Sequence, residues 1–379
     1  MADYFTERTK LNHRLQGVIN ALGDEIAETL QGALATVSGK LADLSAQSEK
    51  TASMLKRQQR LERHKAEIEK ALSEVYADIG QAIKARSMET AEAIPEIAAT
   101  LLDQSLPEGV EAGLTWRSIT KQRLAAYWDS FQIEGQYFTD WLAKLQGNAA
   151  ARIVQTTQES LVLGESSPAL WKRLQDALSM GRQSAAGLAQ TALHHAVSWA
   201  EHQTHLDNAD RLKGYRFVAE LDRRTTPLCL SLDGREFSLT EAPIPPLHWR
   251  CRSWLHPLLM DVVVKGKRVP FEDALGPDYD QEARRIARIE TEPRTIHHRD
   301  GTTSTAYRGY DVKFVPRKMT YNQWMTSMVR SGNPRDVAFA REALGPTRFN
   351  LVANGKLKIE SLYYQGRLRT IKELKELMQ

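Results

Sequence analysis

Ten apolar residues recur in steps of three and four from Leu11 through Leu15, Val18, Leu22, Ile26, Leu30, Leu34, Val37 and Leu41 to Leu44, with no proline among them. That spacing places them along one side of an α-helix. A second stripe runs through Leu55, Leu61, Ile68, Leu72, Val75, Ile79 and Ile83. The polar stretch SAQSEKTAS separates the two and reads as a chain reversal, so the pattern predicts an antiparallel helical hairpin. An arm of ~35 residues is ~50 Å long at 1.5 Å per residue. Each arm has one apolar face, and two arrangements remain open: docking on another chain or copy, or a bundle with the helices that follow. The basic run MLKRQQRLERHK from Met54 to Lys65 is the densest in the chain and could meet phosphates, but charge runs on helices are more often solvated faces, and Glu62 within it and Glu67 beside it supply counter-charges.

The 379 residues suffice for two or three domains, and 42% hydrophobic with 26% charged residues excludes a disordered chain. A net charge of +4 does not announce a nucleic-acid binder. From Asp261 onward, however, 22 Lys and Arg face 15 Asp and Glu, which predicts a modest preference for an anionic partner in that third. Two cysteines exclude a disulfide-stapled scaffold and any four-thiolate zinc module. No run of 18 apolar residues predicts a membrane span, and the first residues show no Sec-type leader, so a cytoplasmic or assembly-internal protein is expected.

Pro95 and Pro107-Glu108-Gly109 read as a boundary. Beyond it, Trp116, Tyr127, Trp128, Phe131, Tyr137, Phe138 and Trp141 lie at helical spacing, which predicts a core-forming helix from Trp116 to about Leu145, broken near Gly135. A nucleobase platform would set its aromatics on strands among basic residues. Further helices are expected over 149–163, from Ser167-Pro168 to Gly181, and from a Ser184 cap to about His205. Then the character changes. Tyr215 to Leu221 and Arg252 to Pro257 read as strands, Asp233-Gly234 as a tight turn between short strands, and Pro243 to Pro246 as extended chain. The expected class is α+β, predominantly α. Its parts are a helical hairpin over 1–106, a helical lead-in over 107–206, a β-rich core over 207–262, and a loop-rich basic region with short helices over 263–379.

Chemistry-bearing residues concentrate in LDRRTTPLCLSLDGREFSLTEAPIPPLHWRCRSWLHP, residues 221–257. Three readings stay open. Cys229 with His248-x-x-Cys251 offers two thiolates and an imidazole, a donor set for zinc, with His256 or Asp222 as fourth ligand. Cys229, His248 and Asp222 also supply the residue types of a nucleophilic site, without a flanking elbow or oxyanion signature. In the third reading the cysteines are small buried residues, Asp222 and Arg223 pair or cap a turn, and His248 bonds the backbone. No phosphate loop, dinucleotide fingerprint, H-E-x-x-H or G-x-S-x-G occurs. His194-His195 reads as one helix-surface and one core residue, because neighbours on a helix point ~100° apart. His297-His298 has no evident partner.

The same stretch resembles the phage Mu F-like head morphogenesis family, also called minor capsid or minor head proteins. The resemblance rests on Asp222-x-Arg224-Thr225, then Cys229, then Asp233-Gly234, then Pro245-Pro246-x-His248-x-x-Cys251-Arg252. Thr226 and Ser253 stand where many members have further cysteines, and Gln190 stands where Arg is common. The helical segment LAQTALHHAVSWA upstream and TYNQWM, EALGPTRFNLVANGKLKIESL and TIKEL downstream are also similar to the family. The resemblance reaches from about Phe138 to the C-terminus. It implies a non-enzymatic virion component without a cofactor. Such a component sits in multiple copies at the portal vertex inside the head and contacts the portal protein and other head proteins. It assists head assembly and DNA packaging, retention or ejection, with weak contact to packaged DNA and no membrane partner. As motif residues of structural role it carries over Asp222, Arg224, Thr225, Asp233, Gly234, Pro246 and Arg252.

Overall fold

The computed structural model describes residues 4–46, 54–106, 119–163, 165, 167–222, 224–260, 267–268, 294–297, 303–306, 315–316 and 318–378. The class is α+β and predominantly α. Helices α1 (Tyr4–Ala46) and α2 (Met54–Gln104) form the two arms. Their core pairings run in opposite directions along the chain. Tyr4 and Phe5 share a cluster with Leu102 and Leu106. Leu11 and Ile19 meet Ile94. Leu22, Ile26 and Leu30 pack with Ile68, Leu72, Ile79 and Ile83. The hairpin is therefore antiparallel; residues 47–53 of the expected reversal, and the side chains of the basic run up to His64, lie outside the described residues.

Over the described side chains the arms lean on helices of the same chain, which is the second of the two arrangements left open by the stripes. The central element is α5 (Ser167–Leu206). Ala185, Leu188, Ala189, Ala192, Ala196 and Ala200 form a fully buried line along it within the cluster that holds the arm residues. Small side chains at this repeat let neighbouring helices approach closely, while Leu193 and Val197 turn to the cluster of Leu11, Ile19 and Ile94. Arg8 of α1 forms a two-pronged ion pair with Glu201 of α5, both nearly buried, with Nη2 donating to Oε2 at 2.9 Å.

Several expected breaks are absent. Pro95 lies inside α2, although an interior proline costs about 3 kcal/mol. The buried Ile94, Ala98, Ala99 and Leu102 on either side hold the helix to the core through it. Gly181 does not end a helix either; α5 runs through it and through Ser184. Glycine there is a packing choice, because a Cβ would lie 3.3 Å from the Tyr76 hydroxyl. One helix, α4 (Phe138–Leu163), replaces the two expected across Leu145, and it packs on α2 and α5.

The break near Gly135 does occur. Helix α3 (Lys121–Ser130), capped by Thr120, is followed by a two-stranded hairpin, β1 (Gln132–Ile133) and β2 (Gln136–Tyr137). Glu134 and Gly135 turn it with φ of 49° and 77°, the left-handed pair that two-residue hairpins need. Tyr127, Trp128, Phe131 and Phe138 around it are buried, as a core reading requires, with Tyr127 stacked on Trp199 at 4.2 Å between centroids.

After α5 comes a three-stranded antiparallel sheet in the order β4-β3-β5, from β3 (Leu212–Val218), β4 (Glu236–Phe237) and β5 (Trp254–Leu259). Pro257 falls inside β5 rather than ending it, opposite Tyr215. An edge strand tolerates the missing N–H. Between β3 and β4 stands α6 (Pro227–Leu232), a short helix where strands were expected before the Asp233-Gly234 turn. Pro227 at its first turn presets the backbone for a helix.

Of residues 261–314, three short strands are described: β6 (Lys267–Arg268), β7 (Arg294–His297) and β8 (Thr303–Ala306), followed by β9 (Val315–Pro316). β6 pairs with β9, and β7 with β8. The rest of the expected loop-rich region, including His298, lies outside the described residues. The chain ends in α7 (Tyr321–Val329), α8 (Pro334–Leu344), α9 (Pro346–Ala353), a hairpin of β10 (Tyr363–Tyr364) and β11 (Arg367–Leu368), and α10 (Ile371–Glu376). Thr320 with Gln323 and Thr370 with Glu373 form capping boxes at α7 and α10. These helices bury Trp324, Met325, Leu344, Phe349, Ile359, Leu362 and Leu374 together with Leu221 and Leu230, which fastens them to the β-rich unit.

Candidate functional site

The chemistry-bearing residues fall into two neighbouring groups, and the division decides what each can do. The first centres on Asp222, just past β3, whose side chain is 1% exposed. Arg252 grips it with both guanidinium nitrogens, Nη2 donating to Oδ1 at 3.0 Å. The backbone N–H groups of Arg224 and Thr225 donate to Oδ1 at 2.8 and 3.0 Å. The Thr225 hydroxyl donates to the Glu220 carbonyl at 2.7 Å. Arg224 adds an exposed guanidinium 3.6 Å from Oδ2. Burial by itself would raise the Asp222 pKa; the Arg252 hydrogen bonds and charge overcome it and hold the carboxyl below the usual range.

Asp233 is a second pin. Its Oδ1 accepts from the Ala219 N–H at 2.8 Å and its Oδ2 from the Tyr321 N–H at 2.7 Å. The Tyr321 hydroxyl donates to the Asp222 carbonyl at 2.9 Å. The start of α7 is thus tied to both motif aspartates. Gly234 follows with φ of 80°, and a Cβ there would come within 2.8 Å of Thr320 Cγ2. Left-handed backbone and the close approach of α7 both favour glycine. Pro246 closes a cis Pro245-Pro246 pair leading into the His248 loop.

The second group is Cys229, His248 and Cys251. Their ligand atoms all lie within 4.8 Å of one another. Cys229, on α6, has its Sγ 3.2 Å from His248 Nε2 and 3.7 Å from Cys251 Sγ. Both thiols are buried and free, and His248 is half-buried. His248 Nδ1 donates to the Trp249 carbonyl at 2.9 Å, which leaves Nε2 as the unprotonated nitrogen facing the thiols. Hydrogen bonding from Cys229 and the nearby His248 lower the Cys251 pKa against the effect of burial, while Cys229 is raised. Burial pulls His248 down, but Cys251 raises it overall.

Residues of α5 hold this loop in place. His194 Nδ1 donates to the Cys251 carbonyl at 2.8 Å. The Arg250 N–H donates to the Thr191 hydroxyl at 3.0 Å, and the Arg250 guanidinium to the Gln183 carbonyl at 2.5 Å. Arg250 adopts φ of 59°, a left-handed conformation held by these contacts. Thr191 and His194 are tethers that sequence reasoning missed. They sit inside the LAQTALHH segment, whose spacing shows a helix but not which loop returns to it.

The structure does not assemble the nucleophilic triad. Asp222 is occupied by Arg252, and the His248 nitrogen that an orienting carboxylate would hold is bonded to a backbone carbonyl. Neither fourth ligand considered for zinc joins the trio. Asp222 lies in its own clamp, and His256 packs between the rings of Tyr4 and Phe5 at 5.2 and 4.8 Å. Arg223 lies outside the described residues. No helix among the described residues is long and apolar enough to cross a membrane.

No curated protein and no solved structure matches the chain. Residues 151–256 match the family model described as Phage Mu protein F like protein. That segment holds both groups and most of α5, from which the loop is tethered. Over these residues, somewhat more than a quarter of the chain, the protein is similar to the phage Mu protein F-like family.

Proposed function

We propose that the protein is a non-enzymatic minor head component that docks on the portal vertex inside the head, in multiple copies, and assists head assembly and DNA packaging, retention or ejection. The observation that carries this reading is the match of residues 151–256 to the phage Mu protein F-like family, with the matched motif polar groups spent on internal bonds. Asp222, Asp233, Thr225 and Arg252 serve as fasteners between chain segments, a role suited to a rigid assembly module. The helical part is the surface assigned to the portal, and the basic residues beyond Asp261 to weak, salt-sensitive contact with packaged DNA.

Cross-linking mass spectrometry on intact particles tests this reading. Cross-links from α1, α2 or α4 to the portal protein are expected. A chain missing from purified particles, or one cross-linked only to the outer shell, overturns it. The full chain is needed, since α1 and α2 supply part of the core around α5.

A further inference from the structure

We propose that Cys229, His248 and Cys251 bind one zinc ion, as a structural rivet between α6 and the loop that leads into β5. Two Zn–S bonds of about 2.3 Å at a tetrahedral angle place the sulfurs about 3.7–3.8 Å apart. The two Sγ atoms here are 3.7 Å apart, whereas a disulfide requires about 2.05 Å. A Zn–N bond of about 2.0 Å beside a Zn–S bond places nitrogen and sulfur about 3.5 Å apart. Cys229 Sγ and His248 Nε2 stand at 3.2 Å. Two of the three donor separations are thus close to those of a tetrahedral zinc site, and all three ligand atoms lie within 4.8 Å of one another.

The surroundings agree with a metal rather than with bare thiols. The Nδ1–H of His248 is held by the Trp249 carbonyl, the arrangement that fixes a zinc-bound imidazole with its other nitrogen toward the metal. The loop carrying His248 and Cys251 is tied to α5 by His194, Thr191 and Gln183, so the donors are held in place. On binding, each thiol releases one proton and no electron moves. Two thiolates and Zn(II) sum to zero charge, which suits the burial of both cysteines. With two sulfurs and a nitrogen the set prefers zinc to magnesium or calcium. The fourth corner belongs to water on the side of His248, the half-buried member of the trio.

The test uses the full chain, folded under reducing conditions, equilibrated with zinc chloride and passed through a desalting column. Elemental analysis is expected to give about one zinc per chain, and Cys229→Ser with Cys251→Ser at least a tenfold loss. Because the serine variants can lose their fold, cobalt(II) is also titrated into the unmutated protein. Two thiolates at a tetrahedral site give a sulfur-to-cobalt charge-transfer band and intense visible bands, and zinc then abolishes both. Folded protein that keeps no zinc, a cobalt spectrum without the charge-transfer band, or a folded double variant that retains its zinc would each overturn the proposal.

Discussion

Replacing Arg252 by methionine isolates the clamp that joins the end of β3 to the start of β5. The substitution keeps most of the apolar stem and removes both bonds to a carboxylate whose side chain is 1% exposed. Breaking a buried pair by removing one partner costs about 3–5 kcal/mol, because the remaining charge is left uncompensated. Asp222 keeps the N–H donors of Arg224 and Thr225, which places the loss at about 3 kcal/mol near neutral pH. Urea unfolding followed by far-ultraviolet circular dichroism measures it. The pH dependence supplies a second reading. In the unmutated protein the Asp222 pKa is depressed, so its stabilising contribution is complete above the unfolded value of about 3.9 and is lost as pH falls through the folded value. Without Arg252, burial raises that pKa instead, so acidification protonates the carboxyl early and the gap between variant and parent narrows below about pH 5. A cost under about 1 kcal/mol at pH 7, with no narrowing on acidification, would refute the clamp as described.

Two further outcomes follow from the packing. His205 is buried and His195 half-buried, and desolvation is the main cause that lowers their pKa values to about 3 and about 4; His205 faces the Tyr215 hydroxyl, His202 and Arg8. The unfolded chain binds protons from about pH 6.5 downward while these imidazoles stay neutral in the fold, so stability falls below that pH; at pH 5 the two together cost about 4 kcal/mol, and equal urea midpoints at pH 7 and pH 5 would contradict their burial. Ile83→Ala, at a fully buried site shared with the α5 alanines, is expected to lower stability by about 2–5 kcal/mol and to speed amide exchange in α5; faster exchange confined to α1 and α2 would mean that the arms unfold separately.

The helical stripes were legible because burial of one helix face leaves a period in the chain that needs no knowledge of tertiary partners. Where that period met a local breaker, the partners decided. Pro95 and Gly181 are ordinary stop signals, and each is overridden by apolar contacts from distant segments that a local reading does not see. Helix α6 was hidden for a related reason: six residues are too few to show a period, and the Asp-Gly beside them suggested strands. The convergence of Cys229, His248 and Cys251 had a compositional trace, since both cysteines of the chain lie in one short stretch. The roles of Thr191 and His194 had none, because they act on a loop almost 60 positions away.

Asp233 holds Ala219 with one oxygen and Tyr321 with the other, and Leu221 and Leu230 are embedded among the terminal helices. The last sixty residues are therefore anchored to the sheet by side chains as well as by the polypeptide between Met260 and Val315. A single peptide cleavage in that stretch would leave two fragments that travel together through a sizing column, so covalent continuity there is dispensable for cohesion.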